Sequence, residues 1–549
     1  MTLTRGQPGR LRMMSMVAPV GGLDTVAPAT AIDPSRSILS YNLIGAEYGL
    51  RTRLGSREWV TGLDTDPRSI LAFNGSTSAS DRLFACTQAG IWDCSSSTAA
   101  PTKVVTFGIQ NADSGYGIFT AFANTAGDHF LVYCDEANGM YVYAESGTTW
   151  TKVTAGTGVG HISEKTGVTT VCDPTKFVHV LSWKNRLWFC EKNTQRAWYL
   201  EIGSIYGDGA TGASPFTFGS RFARGGDLRV LASHTMDGGS GPDDRLVAVS
   251  GGGDVVIYQG TDPSTGALAD FGIVGVWELG QIPSGRRIAT DTGGDLLIMS
   301  SIGILPVSKF TVGNPVFDRS QYQTAAISNL FNQFQATTSS VRGWAMKIHP
   351  LDSSLVVLVP QSASQPTTQL AMSLVTKGWH QYRDLPMGVC AEPWNGTLYF
   401  GSGDGSGRVL VNDGYVDGVT LADPNAYTPI DWSLLSGFSN FGSPQRKRLQ
   451  EIRVKVMSQG GSIPMTAEAR YDLDLSEAAI PSATAASSGS TWDSAKWDSG
   501  KWGGAYQVQN VKFGAYGSGY DVAVAIRGKS TTRMTLVGAD AVYEAGGWR

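Results

Sequence analysis

The amino-acid sequence predicts an all-β protein that combines a β-propeller with a β-sandwich-like platform domain. Three observations lead to this fold class. Glycine accounts for 68 of 549 residues and charged residues for only 16%, against typical shares of about 7% and about 25%. A pattern of paired apolar strands recurs through the middle of the chain, and strands that alternate apolar and charged residues follow it. The hydrophobic share of 42% is enough to build a large core.

Charge and residue spacing exclude several classes of protein. The net charge of −4 argues against a protein that wraps nucleic acid through a strongly basic face. No apolar run approaches the roughly 18 residues of a membrane span. None of the six cysteines forms a CxxC pair, and Cys86, Cys134 and Cys190 lie in apolar strand-like runs, so buried free thiols are favoured over disulfides. The histidines are scattered, and no metal or other cofactor is predicted.

The recurring pattern is an apolar strand, a short turn rich in Gly or Asn, and a second apolar strand. Successive copies begin 42 to 60 residues apart. The copies cover residues 82–94, 130–143, 186–200, 245–258, 295–307, 355–382 and 397–412. A period near 50 residues is typical of a four-stranded propeller blade, of which the hairpin supplies half. We therefore predict six or seven blades over residues 61–427, with room for one incomplete blade. A β-sandwich or β-helix with coincidental spacing is the alternative.

The two ends of the chain differ from this middle part. Residues 1–60 contain Pro19, Pro28 and Pro34 and few strand patterns, which predicts an extended arm without a core of its own. The propeller is accordingly expected to fold without residues 1–57. Residues 428–549 contain strand patterns at 451–457, 520–526 and 534–543, and a polar loop at 476–504. We predict that this region forms a β-rich platform and that the arm packs on it.

Catalytic motifs are weak throughout. The sequence has no GxSxG nucleophile elbow and no HExxH zinc motif. Gly528-Lys529-Ser530 resembles the end of a phosphate-binding loop, but Ala523 stands where the leading glycine would be. The sequence therefore favours a protein that is not an enzyme.

Residues 18–59 are the most specific stretch of the chain. They resemble the N-terminus of the tail nozzle proteins of short-tailed (podovirus-type) bacteriophages, also called tail tubular protein B or packaged-DNA stabilisation proteins. The residues that carry the resemblance are Pro19, Gly22, Leu23, Ala31, Asn42, the run Gly49-Leu50-Arg51-Thr52-Arg53, and Gly55. A looser resemblance at the other end rests on Gly442-Ser443, a tryptophan-rich loop, and Tyr543 with Gly546-Gly547. In that family an arm precedes a propeller, and a C-terminal β-region closes a platform with the arm.

The resemblance implies a structural protein of the virion tail, made in the bacterial host cytoplasm. It implies a homohexameric ring that docks on the adaptor (head-to-tail connector) ring beneath the portal. The channel would retain double-stranded genomic DNA and carry it during ejection without sequence-specific binding. In some relatives the outer wall also anchors fibres or tailspikes. A mildly acidic chain is compatible with DNA passage, because each Lys or Arg contact to phosphate adds affinity that would stall sliding.

Two basic runs are candidate contacts with the adaptor or with a neighbouring subunit. Arg51, Arg53 and Arg57 follow the arm, and Arg446, Lys447 and Arg448 form the densest basic run. Ordinary solvated surface and a basic turn before a strand are the structural alternatives.

Trp492, Trp497 and Trp502 recur every five residues in a polar segment, a spacing that matches neither a strand nor a helix. We interpret them as anchors in a folded loop or at a subunit interface. Stacking of a sugar on these rings is the competing interpretation. It belongs to a second function class, a carbohydrate-binding or glycan-active propeller that recognises a cell surface. A propeller scaffold for protein partners in a cell is the third.

Overall fold

Strands dominate the structure. The computed structural model describes residues 11–235, 244–264, 270–313, 316, 318–361, 365–459, 463–482 and 507–546. Within these ranges the chain forms 38 β-strands and two α-helices, which confirms the all-β fold class. The strands build seven blades around one axis and a platform of two sheets beside them.

The first five strands lie in the segment predicted as an extended arm. They are β1 (Leu11–Val17), β2 (Ser37–Tyr41), β3 (Leu43–Ala46), β4 (Gly49–Thr52) and β5 (Arg57–Val60). Leu43 and Leu50 are fully buried in the platform core, and Ile44 is fully buried in a core of the propeller. The predicted arm thus contributes side chains to the platform core and to a core of the propeller, and removal of residues 1–57 would leave both cores incomplete.

The first four blades each contain four antiparallel strands. Blade 1 comprises β6 (Ser69–Phe73), β7 (Arg82–Cys86), β8 (Gly90–Asp93) and β9 (Thr102–Thr106). Blade 2 comprises β10 (Gly117–Ala123), β11 (His129–Asp135), β12 (Gly139–Ala144) and β13 (Thr149–Lys152). Blade 3 comprises β14 (Phe177–Trp183), β15 (Arg186–Glu191), β16 (Arg196–Tyr199) and β17 (Ser214–Thr217). Blade 4 comprises β18 (Leu228–His234), β19 (Arg245–Ser250), β20 (Asp254–Gln259) and β21 (Gly272–Glu278).

The last three blades depart from this scheme. Blade 5 comprises β22 (Ala289–Asp291), β23 (Leu296–Met299) and β24 (Ile304–Pro306), and the helices α1 (Val307–Thr311) and α2 (Ser328–Thr338) follow it. Blade 6 comprises β25 (Ala345–His349), β26 (Ser354–Val359), β27 (Thr368–Ser373) and β28 (Trp379–Tyr382). Blade 7 comprises β29 (Met387–Trp394), β30 (Thr397–Ser402), β31 (Val409–Asn412) and the arm strand β5.

The seven predicted hairpins fall on the central strands of the seven blades. These strands are buried on both faces between neighbouring blades, as in β19, where Leu246 to Ser250 are all buried. Blades must stack in this way because each one exposes two apolar faces. The prediction of six or seven blades, one of them incomplete, is confirmed: among the described residues there are seven, and blade 5 has three strands.

The arm closes the ring of blades. The innermost strands contact one another in cyclic order, and β29 of blade 7 meets β6 of blade 1. Blade 7 takes its outermost strand from the arm, since Val60 of β5 pairs with Val409 of β31 and Arg57 pairs with Val411. One blade thus combines strands from before and after the rest of the propeller.

The platform combines both ends of the chain. Its later strands are β32 (Val416–Asp417), β33 (Thr428–Ser436), β34 (Lys447–Ser458), β35 (Met465–Tyr471), β36 (Gln507–Gly514), β37 (Val522–Ser530) and β38 (Met534–Ala545). One sheet, here called the arm sheet, has the order β3-β4-β38-β34-β36, with β1 also paired to β38. The second has the order β2-β33-β37-β35 and continues into blade 6, because β2 pairs in parallel with β28. Buried side chains such as Val454, Trp432 and Val524 fill the space between the sheets, which gives the predicted sandwich-like platform.

All six cysteines are buried and free. This confirms the prediction of buried thiols. Burial raises the pKa of the Cys390 thiol to about 12, so this thiol stays protonated at neutral pH.

Candidate functional site

The first predicted basic run lies at the junction between the propeller and the platform. Arg53 is 1% exposed, and its guanidinium pairs with Asp417 at 2.6 Å. Arg51 pairs with Asp352 of blade 6 at 2.6 Å. Arg57, whose side chain is 41% exposed, pairs with Asp413 at 2.9 Å. Arg51 and Arg53 therefore join parts of one chain, and Arg57 alone of the three presents much of its guanidinium to solvent.

Asn42 organises this junction. Its backbone φ of 57° lies in the left-handed region, which Asn tolerates better than most residues. The Oδ1 atom accepts hydrogen bonds from Arg53 Nε at 2.9 Å and from the Arg383 backbone N–H at 2.7 Å. The Nδ2 atom donates to the Asp431 carbonyl at 2.7 Å. One side chain thus bonds the arm, the loop after blade 6 and the platform.

Two ion pairs lie between the Asn42 junction and the platform. The Arg383 guanidinium forms a bidentate pair with Glu477 at 2.8 and 2.9 Å, and lies over the Tyr41 ring. Arg527 forms a second bidentate pair, with Asp431, at 2.7 and 2.9 Å. Fork-to-fork pairs of this kind fix orientation as well as distance. Sequence reasoning missed Arg383 and Arg527 because their partners are distant in the chain.

The second basic run has one buried and two exposed members. The Lys447 ammonium group is enclosed and donates to the carbonyls of Ser443, Gln445 and Tyr520. Burial lowers its pKa. Arg446 and Arg448 are exposed. Lys447 thus caps a turn, and a contact with a partner stays a prediction for the two arginines. Trp492, Trp497 and Trp502 lie outside the described residues.

Two consecutive arginines before blade 5 close the axis of the propeller. Arg287 donates to the backbone carbonyls of Arg68 at 2.7 Å, Val389 at 3.2 Å and Gly117 at 3.3 Å. These three carbonyls belong to blades 1, 7 and 2. The space left beside the pair is about 20 Å³, which is room for about one water molecule. The axis is therefore blocked by side chains at this level.

Arg286 lies next to Arg287 at the propeller axis and contacts blades 2 and 4. It pairs with Glu136 of blade 2 and donates to the carbonyls of Leu228 and Arg229 in blade 4, at 3.0 and 2.8 Å. Arg342 pairs with Asp113 at 2.9 Å beside it. Arg286, which is buried, and Arg287, which is half-buried, thus satisfy backbone carbonyls of several innermost strands.

A cavity of about 530 Å³ opens above these arginines at the axis. Its lining includes Tyr116, whose ring centre lies 5.3 Å from the Arg68 guanidinium and 5.6 Å from the Arg342 guanidinium. Both distances are typical of cation–π contacts. The wall also contains Asp66, which accepts bonds from Ser402 Oγ at 2.6 Å and from two glycine N–H groups.

The described part of the chain offers neither a metal site nor a membrane-spanning helix. Over the described ranges, no three His, Cys, Asp or Glu side chains lie close enough together to hold a metal ion. In the same part of the chain, no helix has the length and apolar character that crossing a bilayer requires.

Comparisons with known proteins add little to this geometry. No protein-family model matches the chain, and no curated protein matches it. Among solved structures, the extracellular domain of a putative hybrid two-component system from B. thetaiotaomicron aligns with a TM-score of 0.40 and 12% identity, over 64% of this chain and 40% of that one. The computationally designed protein Ika8 aligns with a TM-score of 0.34 and 9% identity, over 64% of this chain and 99% of that one. Likeness at this level says nothing about function, and the resemblance to tail nozzle proteins stays a prediction.

Proposed function

We propose that this chain is a structural subunit of a short-tailed phage virion, a tail nozzle protein that assembles into a hexameric ring below the adaptor ring and performs no catalysis. The observation that carries the proposal is the way the two ends of the chain meet. The arm strands β1 and β4 pair with the C-terminal strand β38 in one sheet. This is the arrangement of arm, propeller and platform that the resemblance implies.

The segment that carries the resemblance also lies at the centre of the fold. Asn42 and Arg53 bond the propeller to the platform, and Leu50 lies in the platform core. Residues 18–59 are therefore the part of the chain on which the relative position of the two domains depends. A subunit of a ring under the pressure of packaged DNA needs such a fixed geometry.

The DNA channel in this proposal lies between subunits and not inside one propeller. Arg286 and Arg287 block the propeller axis with hydrogen bonds to four of the seven blades. A duplex has no path through that axis. Six copies arranged around a common axis would form the conduit with their outer surfaces.

The test is the mass of the protein in solution, measured by light scattering after size-exclusion chromatography. We expect a hexamer, or assembly into a ring when the adaptor protein of the same phage is added. Portal and adaptor genes beside the coding sequence would support the same conclusion. A protein that stays monomeric at every concentration, with and without the adaptor, would contradict the proposal.

The cavity at the propeller axis favours a second candidate function, the recognition of a cell-surface carbohydrate. Its volume of about 530 Å³ falls within the range of small-ligand sites. Gln88, Gln361 and Asp66 are among the residues that line it, and amide and carboxylate groups of this kind hydrogen-bond to sugar hydroxyls. Retention of a monomeric protein on a polysaccharide column, abolished by Gln88→Leu, would favour this function over the nozzle. Passage through a panel of such columns without retention would remove it.

A further inference from the structure

The arm sheet ends in two strands whose outer edges no described strand covers. At one end is β1, which has seven residues and pairs with β38 alone among the described strands. At the other end is β36, which has eight residues and, of the strands described, pairs only with β34. An exposed strand edge presents unpaired backbone N–H and C=O groups, and proteins cover or disrupt such edges unless another chain pairs with them.

The hydrogen bonds of β1 identify the residues that point to its free edge. The Ala18 N–H donates to the Val537 carbonyl at 3.1 Å. Because backbone groups alternate in direction along an antiparallel strand, Arg12, Met14 and Met16 face β38. The residues that face the free edge are Leu11, Met13, Ser15 and Val17.

The same argument applies to β36. The Ala515 N–H donates to the Gln450 carbonyl at 3.1 Å, so Gln509, Val511 and Phe513 face β34. The residues that face the free edge are Val508, Asn510, Lys512 and Gly514.

The two edges are complementary in direction. Each of the pairs β1/β38, β38/β34 and β34/β36 is antiparallel, so β1 and β36 run in opposite directions. When the β36 edge of one copy lies against the β1 edge of the next, the two strands are antiparallel, like every other pair in the sheet.

The edges are also complementary in the faces of their side chains. Met14 and Met16 are paired with Ala541 and Ala539, whose side chains face the platform core. Leu11, Met13 and Val17 therefore point to the opposite face, outside the sandwich. On β36, Val511 and Phe513 pack on the core and Val508 points outward. Outward residues of one strand thus meet outward residues of the other, and Met14 and Met16 meet Val511 and Phe513.

Several apolar side chains of β1 and β36 are exposed to water in a single copy. Leu11 and Met13 are each 59% exposed, Val17 is 68% exposed and Val508 is 71% exposed. Apolar residues along two free edges are a hazard in a monomer. Pairing would bury them and would extend the platform core from one copy into the next.

We infer that the β1 edge of one subunit pairs with the β36 edge of the next, so that the arm sheets of all subunits join into one continuous sheet. The contact is head-to-tail, because two different edges meet, and such contacts close into a ring when the rotation between copies allows it. This inference rests on the proposed ring and names the surface that builds it. The occupant of each edge is a second copy of this chain.

Proline substitutions test each edge separately. In Met13→Pro and in Asn510→Pro, the lost N–H points to a free edge, so no hydrogen bond to a described residue is removed. Pairing with a neighbour is blocked. Met13→Thr and Asn510→Thr are the matched controls, since they keep the N–H. We expect light scattering to show the wild-type oligomer for both controls and a monomer for each proline variant.

An equimolar mixture of the two proline variants gives a sharper result. The intact β36 edge of the Met13→Pro chain pairs with the intact β1 edge of the Asn510→Pro chain, so we expect heterodimers and nothing larger. Homodimers of Asn510→Pro alone would show that β1 pairs with itself and would overturn the head-to-tail contact. Proline variants that assemble like the wild type would overturn the edge pairing while leaving the ring intact. A wild-type protein that never assembles would overturn both.

Disulfide cross-linking covers the case in which a proline variant does not fold. Met13→Cys is combined in one chain with a cysteine at Val508, Asn510 or Lys512. All six native cysteines are buried, so they do not compete for the new thiols. Oxidation of at least one of these double variants is expected to give a ladder of covalent oligomers on a non-reducing gel. Absence of the ladder from all three, in protein that is oligomeric by light scattering, would contradict the proposed pairing.

Discussion

The guanidinium of Arg53 joins three parts of the fold. It bonds Asn42 of the arm, the Asp417 carboxylate in β32 of the platform, and the carbonyl of Arg383 after blade 6. A charge removed from water this completely needs its partners, because an uncompensated buried ion is far more costly than an exposed one. The arm, the propeller and the platform therefore depend on one side chain.

Substitution of Arg53 should be strongly destabilising for this reason. We expect Arg53→Met to lower the free energy of unfolding by about 3–5 kcal/mol, because it leaves Asp417 without its partner. Urea unfolding followed by tryptophan fluorescence measures the change. Arg57→Met is the matched control, with an expected loss of at most about 1 kcal/mol for its more exposed pair with Asp413. Equal losses in the two variants would contradict the structural role given to Arg53.

His380 makes stability depend on pH. It is fully buried, its Nε2 accepts from the Gly45 N–H at 3.1 Å, and Nδ1 therefore carries the proton shared with Ser40 Oγ at 2.7 Å. Burial, with a smaller effect of the Arg51 charge, lowers the pKa of His380 to about 3. The folded pKa lies below the unfolded value of about 6.5, so the unfolded chain binds the extra proton first. The contribution of neutral His380 to the free energy of unfolding is therefore fully present above about pH 6.5. It is lost as the pH falls from there towards 3.

Unfolding measured between pH 7 and pH 4.5 tests this effect. This single histidine contributes a slope of up to about 1.4 kcal/mol per pH unit below pH 6.5. His380→Gln removes the titrating group and is expected to be less stable at pH 7 but to lose less stability on acidification. His179, whose pKa burial also lowers to about 3, contributes the same dependence in both proteins. Parallel pH profiles of wild type and variant would show that His380 does not titrate in this way.

At the scale of elements, β5 joins the N-terminal part of the chain to the last blade and so helps to close the ring. It supplies the outermost strand of blade 7, and Val60 is fully buried in that blade's core. Without it, β31 would have an uncovered edge and blade 7 an incomplete core.

Truncation of the arm should therefore affect the propeller itself. We expect a chain lacking residues 1–60 to aggregate or to lose cooperative unfolding, because it loses β5 together with Ile44. The full-length chain is the control. Differential scanning calorimetry with light scattering compares the two. A soluble, monomeric 61–549 fragment with the wild-type midpoint would contradict this account.

The same elements show why some features could be predicted and others could not. The central strands of each blade, such as β19 and β20, are buried on both faces and read as unbroken apolar runs. Outermost strands such as β9 are half exposed and lack that signal. The arginines at 51 and 53 look like free surface charge because Asp352 and Asp417 lie more than 300 residues away. Arg286 and Arg287 donate hydrogen bonds to backbone carbonyls. Every residue has such a carbonyl, so the sequence does not show which ones these arginines contact.

For the whole molecule, Arg287 links blades that are far apart in the chain. Its hydrogen bonds reach the innermost strands of blades 1, 2 and 7, across the point where the ring closes. We expect Arg287→Met to lower the free energy of unfolding by about 3 kcal/mol or more, since hydrogen bonds to charged groups contribute about 1.5–3 kcal/mol each and their contributions are not additive. It should also separate the unfolding of the blades near the closure from that of blades 3 and 4.

Urea unfolding followed in parallel by circular dichroism and by tryptophan fluorescence detects both effects. We expect the two curves to lie further apart in Arg287→Met than in wild type, because the variant loses the bonds that join blades 1, 2 and 7. Arg224→Met is the control, because Arg224 is exposed and its pair with Glu278 lies on the surface. Wild-type stability with coincident curves in Arg287→Met would mean that packing between blades alone closes the ring.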